Sequence, residues 1–191
     1  MNDCFSNLLP AAKHPVPGTI PGVMNGDLVF RKMSGPGSRL VDAIDEGSIF
    51  SHVGIAYVDA DTNIFVIHVL PQGDEMVQMD TLPAYLQEAE LFAVYRPVNM
   101  DRTIPARAAQ IASQWVGVRP FDKDFDLSTD DALYCTELVY KAYLLAGQDV
   151  VDGIFNQVSL PFLTAEEVIY PSLLVQSSHF TVIYSSPSDN P

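Results

Sequence analysis

Cys135, His52 and His68 are three residues of this chain whose types and placement could do covalent chemistry. A thiolate is a nucleophile, and a neutral imidazole takes a proton near neutral pH. Together they can attack a carbonyl carbon and hold the acyl group as a thioester. The same side chains would also suit an open zinc site with one position left for water, although nothing at metal-ligand spacing supports it. Each residue has a plainer reading. A Cys on an apolar helical stripe is commonly a small core residue, and a His on a strand is commonly a part-buried, hydrogen-bonded one. What separates these readings is where the chain places the three side chains.

Two β-rich runs, Ser51 to Val58 and Ile64 to Leu70, flank a polar turn at 59–63. Alternate residues of a strand share a face, so His52, Gly54, Ala56 and Val58 point one way and Val53, Ile55 and Tyr57 the other. Gly54 and Ala56 are small, which leaves room beside His52. If Val58 faces Ile64, antiparallel counting sets Gly54 against His68 and His52 against Leu70. The histidines are then diagonal neighbours about 7–8 Å apart at Cα, within reach of an imidazole–imidazole hydrogen bond. A one-residue slip would put them on opposite faces.

Cys135 stands at the start of the clearest helix, Leu133 to Ala146, which Gly147 ends. Its apolar stripe is Leu138, Val139, Ala142, Leu145 and Ala146, and the helical period turns Cys135 toward the same side. Unpaired N–H groups in a first turn favour a thiolate, lower its pKa and can hold an oxyanion. Asp130 and Asp131 lie just upstream and would oppose that thiolate at close range.

The remaining pattern is α+β. Strands are expected at Asp27 to Phe30, Glu75 to Gln78, Leu91 to Arg96 and Phe180 to Tyr184. Helices are expected at Gly37 to Glu46, at Leu82 to Ala89 after an Asp80 or Thr81 cap, at Ile104 to Val116, and from a Thr164 cap into Glu166-Glu167. Residues 1–25, rich in Pro and Gly, read as an extended arm; 26–185 as one domain; 186–191 as a polar tail.

With 191 residues the chain can bury a core without disulfide or metal. Ten Lys and Arg against 24 Asp and Glu leave a net charge of −14. Such a field repels phosphate backbones, so nucleic acid is not an expected partner, and it favours a neutral or cationic substrate group. The aspartates between Asp122 and Asp131 lack the spacing, glycine and terminal glutamate of a calcium loop. No cofactor or metal is expected. No apolar run is long enough to span a bilayer, and the N-terminus lacks the basic and apolar regions of a signal peptide. Compartment and oligomeric state are left open.

Four segments occur in order: Gly26-Asp27-Leu28-Val29-Phe30, Ser51-His52-Val53-Gly54-Ile55, Val66-Ile67-His68-Val69 and Tyr134-Cys135-Thr136-Glu137-Leu138-Val139-Tyr140. This series resembles the YiiX/YebB-like branch of the NlpC/P60 cysteine hydrolase superfamily. The resemblance implies a circularly permuted papain-like fold, an antiparallel sheet packed against a helix that carries the nucleophilic Cys. It implies Cys135 as nucleophile and His52 as general base. A polar residue on the neighbouring strand orients the imidazole; that branch has Glu there, and this chain has His68, as in related acyltransferase-like members. Cys135 N–H, Tyr134 and Gly54 are the expected oxyanion or substrate-binding positions.

The expected activity is therefore a cysteine hydrolase of amidase or peptidase type acting on a small-molecule or peptide substrate. Cell-wall peptide and acylated compounds are the candidate substrate classes. Acyl transfer through the same Cys–His pair and a non-catalytic binding module on the same fold are the alternatives.

Overall fold

The computed structural model describes residues 20, 22–33, 45, 49–87, 89–158 and 165–186. Most of the N-terminal arm, the Gly37 to Glu46 helix apart from Asp45, the Thr164 cap, and the tail beyond Ser186 lie outside the described residues.

Among the described residues eight strands and four helices follow in the order β1 (Leu28–Met33), β2 (His52–Val58), β3 (Ile64–His68), β4 (Gln78–Thr81), α1 (Leu82–Leu86), β5 (Ala89–Pro97), α2 (Thr103–Ser113), α3 (Cys135–Ala146), β6 (Asn156–Gln157), β7 (Glu167–Val168), α4 (Pro171–Gln176) and β8 (Phe180–Ser185). Six strands form one antiparallel sheet in the order β4-β3-β2-β1-β5-β8, and β6 pairs with β7 in a separate ribbon.

The β2–β3 register is Val58↔Ile64 and Ala56↔Val66, the pairing that puts both histidines on one face. Asp59 fixes it. Its Oδ1 accepts the N–H of Asp61 at 2.9 Å and of Asn63 at 2.8 Å, and its Oδ2 accepts the Asn63 amide at 2.9 Å. This Asx turn sets the loop length, and loop length sets hairpin register. Gly54 is required by the same pairing. A Cβ there would lie 2.5 Å from Val66 Cγ1 and 2.8 Å from the Ile67 carbonyl oxygen.

Strand alternation divides the core in two. Leu28, Phe30, Val53, Ile55 and Ile67 face α2 and α3, where Ala108, Ala109, Ala112, Leu138, Val139 and Ala142 pack on them. Val29, Ala56, Val66 and Val94 face the other way, onto Leu82, Tyr85 and Leu86 of α1. Small residues along α2 let α3 approach closely, and the buried Tyr143 of α3 donates to the Gly26 carbonyl.

Several boundaries differ from the sequence expectations. Of the helix expected to start at Thr164, Ala165 and Glu166 are not helical and Glu167 opens β7, and the following helix begins at Pro171, a residue suited to a first turn. The strand expected at Glu75 to Gln78 starts at Gln78, because Glu75 and Val77 exchange backbone bonds with 117–121 instead. Helix α1 stops at Leu86 and Ala89 already belongs to β5, and α2 stops at Ser113 rather than Val116. Helix α3 begins at Cys135 rather than Leu133, whose backbone is taken by Pro120 and Asp122.

Candidate active site

Cys135 is the first residue of α3, and its placement begins one residue earlier. Tyr134 is the extended N-cap; its N–H donates to Glu137 Oε2 at 3.1 Å, closing the first turn. The Tyr134 hydroxyl accepts the Ile169 N–H at 3.0 Å, and the neighbouring Thr136 hydroxyl donates to the Ile169 carbonyl. The buried Glu137 is in turn 3.0 Å from Lys141, which also pairs with Asp130 at 2.8 Å. Burial pushes the Glu137 carboxyl up to about 7 despite Lys141. These bonds fix the first turn from both sides.

Cys135 is half-buried as a residue, and its sulfur faces the backbone N–H groups of Val53, Thr136 and Cys135 itself. Val53 follows His52 in β2, so the start of α3 reaches the start of the histidine strand. The sequence reading expected a lowered thiol pKa. Instead, burial pushes the thiol up to about 11, and the N–H groups and the Arg31 charge only partly oppose that. Of the upstream aspartates, Asp130 is held by Lys141, and Asp131 is exposed 3.9 Å from Arg119.

His52 and His68 are both buried, and His52 Nε2 lies 3.0 Å from His68 Nδ1. The bond uses Nε2 of His52. The other nitrogen of His68, Nε2, lies 3.0 Å from Asp80 Oδ2, whose side chain is 40% exposed. One tautomer chain satisfies all three groups. The Asp80 carboxylate only accepts, so His68 carries its proton on Nε2 and accepts on Nδ1. His52 then donates from Nε2, and its Nδ1 is left as a lone pair.

The charges agree with that assignment. His52 is held well below the ordinary imidazole range by burial, then by Arg31 and His68. Burial also lowers His68, with the Asp80 hydrogen bond pulling the other way. Asp80 is lowered by its bond to His68. The resting site is a neutral imidazole pair anchored on a carboxylate and a protonated thiol.

Asp80, Tyr85 and Arg31 were not singled out as site residues by sequence. Asp80 was read as a helix cap. In the register it sits opposite Val66, so it shares the His68 face, and carrying the strand count one hairpin further finds it. Tyr85 of α1 packs its ring on His68 at 4.7 Å and on His52 at 5.8 Å, and its hydroxyl donates to the Val29 carbonyl at 3.0 Å. Arg31 is paired across the ladder with His52, one residue beyond the expected end of β1.

The expected binding positions are placed as follows. Cys135 N–H lies at the sulfur; the backbone N–H and hydroxyl of Tyr134 are both occupied; Gly54 is buried in β2 tight against the neighbouring β3. The acidic loop after Asp122 caps itself, with Asp122 accepting the N–H of Asp124 and Asp126. Among the described residues no group of three or more His, Cys, Asp or Glu is placed to hold a metal ion.

No curated protein matches the chain. The crystal structure of the metalloprotein YiiX from Escherichia coli O157:H7 is similar in fold, with a TM-score of 0.70 at 22% identity over 85% of this chain and 97% of that one. A six-stranded antiparallel sheet with a cysteine helix packed on one face is thus the permuted papain-like arrangement. The family of permuted papain-like amidases known as YaeF/YiiX, C92, matches residues 22–184, a span that contains every site residue named above. The chain belongs to that family, and its class is that of the cysteine amidases and peptidases.

Proposed function

We propose that this protein hydrolyses an amide, peptide or ester bond through a thioester on Cys135, with His52 as its general base. The observation that carries the reading is the ordered chain from His52 to His68 to Asp80, with both links at 3.0 Å, while the thiol at the start of α3 meets the backbone of Val53, the residue after His52. It leaves His52 Nδ1 as the basic lone pair for the Cys135 proton.

Because thiol and imidazole are both neutral at rest, proton transfer accompanies attack rather than preceding it. The thiol proton passes to His52 as sulfur bonds to the acyl carbon. The tetrahedral oxyanion is met by the Cys135 N–H at the helix start. As the carbon–nitrogen or carbon–oxygen bond breaks, His52 returns the proton to the leaving group. Water then attacks the thioester, its proton goes to His52 and on to the departing sulfur, and the acid leaves. Positive charge arising on His52 is shared through His68 with Asp80.

Two grounds for a non-catalytic binding module lose their force in this arrangement. Asp80 supplies a negative group behind His68, and Lys141 neutralises Asp130 beside the helix start. The YiiX crystal structure is described as that of a metalloprotein. The residues here do not fit such a group, since both His68 nitrogens are committed and no ligand cluster exists among the described residues, so no step is routed through a metal.

A thiol-directed acyl probe tests the reading. It should label Cys135 in the native protein, fail with Cys135→Ser and slow with His52→Ala. Labelling of Cys135 only after denaturation would refute it. An added amine or alcohol acceptor separates hydrolysis from acyl transfer, which the His52–His68 pair also suits. Free acid as the persistent product supports hydrolysis.

A further inference from the structure

Arg31 is a buried guanidinium, 4% exposed, in the middle of the sheet. Its position follows from alternation. Val29 and Arg31 of β1 face the side of Gly54 and His52 in β2, and the register pairs Arg31 directly with His52. The guanidinium lies over the Tyr85 ring, 4.0 Å from its centroid, and Nη1 donates to the Tyr85 carbonyl. The same ring touches both histidines. One edge of Arg31, Nε, is buried with no hydrogen-bond partner.

This is a costly arrangement for packing alone. Burying a cation costs free energy, and so does an unmet donor. A Met or Leu would fill a space between Val29, His52 and Tyr85 without either cost. What an arginine adds is a charge that never titrates in proteins. The charged and titratable groups around His52 come from five elements: Arg31 from β1, His68 from β3, Asp80 from β4 behind His68, Tyr85 from α1 and the Cys135 sulfur from α3 at Val53. Within this set Arg31 is the fixed cation, and Asp80, the carboxylate, is one imidazole further from His52.

We propose that Arg31 is the electrostatic positioning residue of the site: a cation clamped on Tyr85 and paired across the ladder with His52, which disfavours a second positive charge on His52 and favours a negative one on Cys135. A neutral base and a sulfur relieved of part of its burial penalty are both what general-base attack requires. The proposal rests on the Cys135–His52 reading above and adds to it a residue that acts through His52 and Cys135.

The test uses the full chain and iodoacetamide, with the alkylation rate of Cys135 followed against pH. A ring NMR titration of His52 is recorded alongside. Arg31→Met and Arg31→Gln remove the charge with different polarity, and Arg31→Lys keeps it. In a folded neutral variant, the alkylation midpoint should rise by about one pH unit, which slows alkylation about tenfold at any pH below the midpoint. The His52 midpoint should rise as well, and Arg31→Lys should return both toward wild type. A purely packing role would change rates or stability without moving either midpoint. Unmoved midpoints in a folded neutral variant, or no recovery with Lys, overturn the proposal. The wild-type titration decides without any variant: a His52 that protonates at an ordinary histidine pH also overturns it. Failure of the underlying reading looks different, as Cys135 alkylation in wild type that is indifferent to His52→Ala.

Discussion

The oddity at the residue scale is a proposed general base whose partner is a second histidine. A carboxylate in that place would stabilise an imidazolium directly. Here the carboxylate is one imidazole away, so His68 serves as a spacer whose tautomer Asp80 dictates. The arrangement makes Asp80 worth more than its partly exposed position suggests. Asp80→Asn keeps the size but lets the amide donate as well as accept. His68 can then flip its tautomer and present a hydrogen to His52 Nε2, which leaves the proton of His52 on the wrong nitrogen. We expect roughly a 100-fold loss in kcat/KM, the order of a general-base contribution, with stability nearly unchanged. Steady-state kinetics on a chromogenic ester, beside urea unfolding, checks this; full activity in Asp80→Asn would remove the carboxylate from the mechanism. His68 was legible in the sequence because strand alternation is short-ranged. Asp80 was missed because its local context, just before Thr81-Leu82-Pro83, reads as a helix start. Thr81 is that cap, accepting the Ala84 N–H, while Asp80 lies within β4.

At the scale of elements, the site depends on two sheet contacts and one helix start. The β2–β3 hairpin was legible because its turn chemistry and its apolar alternation agree on one register. Beyond that hairpin the sequence was less informative. The isolated 75–77 segment has strand composition, yet its backbone pairs with the 117–121 loop, a long-range choice that local pattern does not encode. The thiol pKa is another such case: a helix start alone favours the thiolate, but only the packing of α3 on the sheet shows that burial wins. Gly54 links element to site. Gly54→Val would drive carbon atoms into the Ile67 carbonyl and Val66, forcing β3 away from β2 and lengthening the bond between the two imidazoles. Overpacking of this kind costs about 1–3 kcal/mol. We expect that loss in urea unfolding together with a fall in Cys135 reactivity larger than the stability change alone explains. A variant that unfolds more easily but labels Cys135 at the wild-type rate would uncouple the hairpin from the chemistry.

At the scale of the whole molecule, one sheet with two covered faces holds the parts of the site in different layers. The imidazoles belong to the α1 side, the cysteine helix to the other, and the two layers come together at the start of β2. Burying two neutral histidines has a global consequence. Both have folded pKa values below their unfolded values. Below pH about 6.5 the unfolded chain therefore binds protons that the folded chain refuses, so stability falls as pH falls through that window, by up to about 1.4 kcal/mol per pH unit for each histidine. Glu137 opposes this, because a carboxyl raised to about 7 in the fold loses stability as pH rises toward that value. Unfolding midpoints measured between pH 5 and 7 should still rise with pH. The rise should be shallower in His68→Gln and steeper in Glu137→Gln, and a flat profile in all three proteins would contradict the neutral assignment of the pair.

The most direct test of the central claim is a pre-steady-state acyl burst with p-nitrophenyl acetate, followed by nitrophenolate release and by mapping the acyl group. A thiol made nucleophilic by His52 predicts about one nitrophenolate per chain in the burst with the acetyl group on Cys135, no burst in Cys135→Ala, and a burst slowed at least about 100-fold in His52→Ala. A burst that survives in Cys135→Ala, or one that His52→Ala leaves at full speed, would contradict it.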